Sequence, residues 1–197
     1  MKVSGVILAG GKSSRMKSNK AFVHILGKPL INALIEKFEP YFDETIIISN
    51  EPHLFEGLAA SVYTDIFPYR GPVSGIHSGL VHAQYDTIFV LGCDMPFINM
   101  DLVQYMVKKL GDNNAVVPEV DSVLQPLCAV YHRTALPVFT NCLRVDHLKL
   151  IRIFEELKAV VIPEPELERF GSVRDQFFNI NDRDALYYAN QIAGRYL

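Results

Sequence analysis

The chain has no block of like charge, no apolar run approaching the eighteen residues of a membrane span and no Cys-x-x-Cys pair. Its 19 basic and 22 acidic residues leave a net charge of −3, which excludes an extended basic groove for nucleic acid and assigns any phosphate binding to local clusters. Cys93, Cys128 and Cys142 are odd in number and unsuitably spaced for a disulfide framework or a zinc knuckle, so they read as packed thiols. No His-Glu-x-x-His occurs, and His77 and His82 lie five apart, on different faces of a helix. The N-terminal apolar run lacks a full secretory core; the expected location is the cytoplasm, with no membrane partner. Internal repeats and low-complexity linkers are also missing, so residues 1–197 read as one domain.

What is present is an alternation. Strand-like runs at 3–8, 45–49, 61–63 and 87–91 are separated by segments with helical spacing, and the runs at 46–48 and 88–91 are continuously apolar. Strands of that kind are covered by helices on both faces, which predicts an α/β three-layer sandwich around a mostly parallel, Rossmann-like sheet. Helices are expected from Pro29 to near Pro40, over 75–83, 101–110 and 184–193. Further on, 115–118, 127–131 and 160–162 read as strands and 148–157 as a helix.

The first strand runs into Gly10-Gly11, followed by Arg15 and Lys20. Glycines there can expose backbone N–H groups to phosphate oxygens, Arg15 offers a planar fork of donors and Lys20 a point charge. A Walker A loop would need glycine where Val6 stands, and no Gly-x-Gly-x-x-Gly follows. A second signal lies at Cys93-Asp94-Met95-Pro96, where a carboxylate follows an apolar strand. Ligands of open α/β sheets bind at such ends, and one carboxylate with substrate phosphates suffices for Mg²⁺, so Asp94 is the candidate metal ligand. As alternatives, Asp94 is a helix cap or a turn acid. Between the two signals, Asp65 opens a loop to Gly71-Pro72, and Ser74 stands as a candidate cap. Asn50 follows a strand as either a base or ribose contact or a turn former. Asn179 and Asn181, two apart, point the same way if their segment is extended.

Leu-Ala-Gly-Gly-x-Ser-x-Arg-Met from Leu8, then Lys20-Ala21, resembles the opening motif of nucleotidyltransferases, and most closely that of the molybdenum cofactor guanylyltransferase (MobA) family. Cys-Asp-Met-Pro-Phe resembles that family's metal-binding segment; Gly-Pro-x-x-Gly, Gln125-Pro126-Leu127 and Asn179-x-Asn181 complete a match along nearly the whole chain. The resemblance implies transfer of GMP from GTP to molybdenum-molybdopterin with Mg²⁺ as cofactor. Arg15, Lys20 and Asp94 would be catalytic; Leu8, Ala9, Gly10, Gly11, Lys20, Asn50, Asp65 and Asp94 would bind nucleotide and metal, with Asn179 and Asn181 near the pterin. It places nucleotide binding in the N-terminal half and the acceptor side in the C-terminal half. Molybdenum insertion proteins and apo-molybdoenzymes are the implied partners. Lys17 and Asn19 depart from the family pattern, as does Asp182-Arg183 after Asn181. A sibling transferase using CTP or a sugar phosphate, or a non-catalytic GTP-binding module, is the alternative.

Overall fold

Apolar side chains that alternate along the central strands divide between two cores, and this division sets the layers. In the computed structural model, which describes residues 2–10 and 19–197, β1 (Ser4–Leu8) sends Val6 to one core and Ile7 to the other. A short hairpin of β2 (His24–Ile25) and β3 (Lys28–Pro29) follows, then α1 (Leu30–Phe38) and β4 (Glu44–Ile48), whose Ile46 and Ile48 face away from Ile47. β5 (Ser61–Tyr63), α2 (Pro72–His82), β6 (Thr87–Gly92) and α3 (Met100–Lys109) complete the regular half. In β6, Phe89 and Leu91 join Ile7, while Ile88 and Val90 join Val6.

The later half adds β7 (Ala115–Val120), β8 (Val123–Leu124), β9 (Cys128–His132), α4 (Leu136–Arg144), α5 (Leu150–Glu156) and β10 (Ala159–Ile162). Short α6 (Glu164–Leu167) and α7 (Val173–Gln176) lead to α8 (Arg183–Ile192). The sheet runs β10-β7-β9-β6-β1-β4-β5, with β8 paired to β7. It is parallel except at β9, which is antiparallel to both neighbours, and at β8. Helices α1, α3 and α8 cover one face; α2, α4 and α5 cover the other. The expected sandwich is therefore present. Among the described residues, no helix is long and apolar enough to cross a membrane.

Three local expectations need correction. Pro29 stands just outside α1, with an extended ψ of 138°. Helix α2 begins at Pro72, ahead of the expected 75, because Gly71 adopts φ 64° and Pro72 supplies a preset first helical residue. Ser74 does not cap it: its buried Oγ accepts the Phe67 N–H at 3.3 Å, and Ser78 Oγ accepts that of Ile66 at 2.9 Å. The two serines thus tie loop 65–71 down onto the helix. Helix α4 occupies a stretch with no assigned element; Pro137 is in its first turn, where the absent N–H costs no intrahelical bond.

Candidate functional site

Register sets the height of the site. Leu8 pairs with both Ile48 and Gly92, and Ile48 with Tyr63, so four parallel strands end at one level. The ladder continues one step beyond: Ala9 N–H reaches Ile48 O at 3.0 Å, Cys93 N–H reaches Leu8 O at 3.1 Å and Ser49 N–H reaches Tyr63 O at 3.0 Å. The residues just past those bonds, Gly10, Asn50 and Asp94, therefore share a rim. Strand β1 is flanked by β4 and β6, whose connections leave in opposite directions, which is where open α/β sheets form a crevice. A cleft of about 990 Å³ lies here.

Glycines bring α2 close to that floor. A Cβ at Gly75 would stand 3.1 Å from Leu8 Cδ2, and one at Gly79 would stand 3.0 Å from Val6 Cγ1, so the glycine face lets the helix start overhang β1. Gly71, Pro72, Gly75 and Leu127 line the cleft. The backbone reason expected for Gly10 does not apply to it: it has no positive φ, and among the described residues a Cβ there would meet nothing within 4 Å.

The charged centre joins three parts of the chain. Lys20 opens a 3₁₀ turn whose preceding residue, Asn19, accepts the Ala21 N–H at 3.1 Å. Its ammonium donates to Asp94 Oδ2 at 3.0 Å and to Asn181 Oδ1 at 2.6 Å. Asn181 is delivered there by the backbone: Ile180 N–H bonds the Asp94 carbonyl at 2.9 Å. An ion pair this accessible contributes on the order of 1 kcal/mol to stability, so its main effect is to position the carboxylate and the ammonium.

Asp65 and Asn50 form the second polar group, with Asn50 Nδ2 donating to Asp65 Oδ2 at 2.8 Å. Asp65 Oδ1 is buried without a hydrogen-bond partner among the described residues, and burial raises the carboxyl above its ordinary range, opposed in part by Asn50. It is an acceptor for which a ligand donor is the natural complement.

Leu8, Ala9, Gly10, Lys20, Asn50, Asp65, Asp94 and Asn181 thus meet in one cleft. Gly11 and Arg15 lie outside the described residues, as does Lys17. Asn179 does not line the cleft; its amide donates to the Phe177 carbonyl at 3.1 Å. Asn181 instead turns its amide oxygen to Lys20, so the two amides serve different partners. Ser49, Glu51 and Tyr69 line the cleft without having been picked out from the sequence. Ser49 and Glu51 flank Asn50 after β4, a strand-end position that gave a signal; Tyr69 had none beyond its place before Arg70-Gly71. Tyr69 is 90% exposed, with φ 62°.

Cys93 also lines the cleft, beside Asp94. Burial, then the Asp94 charge, push its thiol up to about 12, with Lys20 opposing. It is therefore an inert thiol rather than a nucleophile. We expect Cys93 in the folded protein at pH 8 to be alkylated on the order of 100- to 1,000-fold more slowly than a free thiol, since its thiolate fraction falls by about that factor. Peptide mapping after timed iodoacetamide exposure measures this; rapid labelling of the native protein would refute it.

A profile of the MobA-like NTP transferase domain matches residues 5–160. A Clostridium perfringens protein named "Probable molybdenum cofactor guanylyltransferase" is 40% identical over 187 residues, covering 93% of this chain and 94% of its own. One from Desulfosudis oleivorans, named molybdenum cofactor guanylyltransferase, is 33% identical, with coverages of 93% and 92%. The crystal structure of molybdopterin-guanine dinucleotide biosynthesis protein A from Archaeoglobus fulgidus superposes with a TM-score of 0.86 at 27% identity, over 98% of this chain and 99% of that one. A Thermus thermophilus 2-C-methyl-D-erythritol 4-phosphate cytidylyltransferase, at TM-score 0.73 and 17% identity over 98% and 100% of the two chains, shares the fold alone.

Proposed function

The chain belongs to the MobA-like NTP transferase family, and from that premise we propose that it transfers GMP from GTP to the terminal phosphate of molybdenum-bearing molybdopterin. The observation that carries the reading is the Lys20–Asp94 pair, 3.0 Å apart at the carboxyl end of β6 and level with Gly10. An oxygen of the acceptor phosphate bonds to the α-phosphorus as the α–β bridging bond breaks, and pyrophosphate leaves. The acceptor is already an anion, so no strong general base is needed. Lys20 neutralises phosphate charge, and the carboxylate of Asp94 with the amide oxygen of Asn181 holds the ammonium in place. Gly10 gives the nucleotide room against the strand end. Asp65, with its open acceptor, takes donor edges of the nucleotide; guanine offers two adjacent N–H donors to a carboxylate.

Mg²⁺ fits the donor set. A single carboxylate beside a phosphate-binding ammonium suits a cation that prefers one or two protein carboxylates, phosphates and water. Asp94 would hold it, and it would neutralise charge on the phosphates. Arg15 is proposed to add a planar phosphate contact from outside the described residues.

A nucleotide panel tests the donor. At about 100 times its dissociation constant, GTP should stabilise the fold by ~2.7 kcal/mol, a rise in melting temperature of roughly 5–10 °C for a chain of this size. ATP, CTP and UTP at matched concentration should give much less. Stabilisation by CTP without GTP would overturn the choice of nucleotide, and GTP binding without pyrophosphate release in the presence of molybdenum-molybdopterin would overturn catalysis.

A further inference from the structure

Away from the cleft, the α4–α5 hairpin gathers three side chains of metal-ligating type. Helix α4 ends in a fold-back in which Asp146 takes φ 61°, its N–H reaches Leu143 O at 3.4 Å and His147 N–H reaches Cys142 O at 2.8 Å. This is a Schellman closure, which brings the side chain three residues inside the helix against the one two residues beyond its cap. That pair is usually apolar; here it is Cys142 and His147. Glu156, the last residue of α5, comes across from that helix, with Oε1 4.0 Å from Cys142 Sγ. The sulfur, an imidazole nitrogen and a carboxylate oxygen all lie within 4.8 Å of one another.

We propose that Cys142, His147 and Glu156 form a zinc site that clips α4 to α5. The donor set of one sulfur, one nitrogen and one oxygen suits Zn²⁺, with water as the fourth ligand. Tetrahedral ligands around zinc stand about 3.5 Å apart, so the cluster needs only a small contraction. His147 is half-buried and Glu156 exposed, which leaves both free to turn inward, while Cys142 is fixed in the core. On binding, the thiol gives its proton to solvent. No metal spacing marks the pair in the sequence, because residues five apart converge only where the helix ends. The site stands apart from the cleft residues but next to their scaffold: Asp146 pairs with Arg70, one residue before Gly71.

The test uses the full-length, tag-free protein stripped with a chelator and titrated with Co²⁺, then Zn²⁺. One equivalent of Co²⁺ should give thiolate-to-cobalt charge-transfer absorption that Zn²⁺ abolishes. His147→Ala and Glu156→Gln, whose folding circular dichroism can verify, should each weaken Zn²⁺ binding at least tenfold, and Cys142→Ala should lose the charge-transfer band. Asp94→Asn should retain all of it, which separates this site from the cleft. Absence of the band, or His147→Ala binding zinc as the wild type does, would overturn the assignment and leave the nucleotide reading untouched.

Discussion

Asp94→Asn should lower guanylyl transfer by roughly a hundredfold to a thousandfold at saturating Mg²⁺, the loss typical when a preorganised electrostatic group is removed from a transition state, about 2–4 kcal/mol. The amide keeps the shape of the carboxylate and can still accept the Lys20 N–H now bonded at 3.0 Å, so the fold has little reason to respond. What is lost is a negative charge that is only half-buried, placed where Ile180 N–H fixes its backbone at 2.9 Å. Stability should change by no more than about 0.5–1 kcal/mol, as for an accessible ion pair. GTP-induced stabilisation without metal should persist or rise, because one anion fewer faces the triphosphate. The decisive comparison is turnover at several Mg²⁺ concentrations. A variant with near-native kcat would remove Asp94 from the metal role, whereas one restored only by high Mg²⁺ would show that the carboxylate acts through metal affinity.

Asp94 was legible in the sequence because an acid at the end of a continuously apolar strand has few packing reasons to be there. The strands themselves were legible for the same reason: Ile46, Ile47 and Ile48, or Ile88 to Leu91, fill both faces of a covered sheet. Lys20 could be marked as a phosphate cation, but nothing local told that it meets Asn181, 161 residues away; that contact depends on the Ile180 tether. Asn179 could not be separated from Asn181 by spacing alone, because its amide is spent on the Phe177 carbonyl while Asn181 reaches Lys20. Gly10 stands at the rim as expected, but without the positive φ that the glycine suggested, and among the described residues a Cβ there would meet nothing within 4 Å. Ser74 looked like a cap because it lies near a helix start, yet Gly71 had already begun the helix and left Ser74 to hold a loop. Such outcomes depend on tertiary neighbours, which local pattern does not contain.

Gly5→Ala tests how the core supports that rim. A Cβ at Gly5 would stand 2.5 Å from Phe38 Cδ2 and 2.7 Å from Phe42 Cδ2. Those rings are not free to swing away: Phe38 and Phe42 meet at 4.8 Å between centroids, and each lies 5.9 Å from Phe89, which is fully buried. Overpacking of this kind costs about 1–3 kcal/mol, and the upper end applies where three rings must shift together. The melting temperature should fall by roughly 6–12 °C, at 2–4 °C per kcal/mol for a chain of this length. Gly194→Ala, where an added Cβ meets nothing within 4 Å among the described residues, should leave it unchanged. An unchanged melting temperature for Gly5→Ala would mean that the aromatic cluster yields without cost. The folded fraction carries a second readout, because Gly5 is on β1, three residues before Leu8. If the rings give way, the KM for GTP stays as in the wild type; if the strand gives way, Leu8 to Gly10 move relative to Asp94 and kcat falls as well. Displacement of about 1 Å is enough to cost a hundredfold in rate, so the split between stability and turnover tells which side of the contact is the stiffer one.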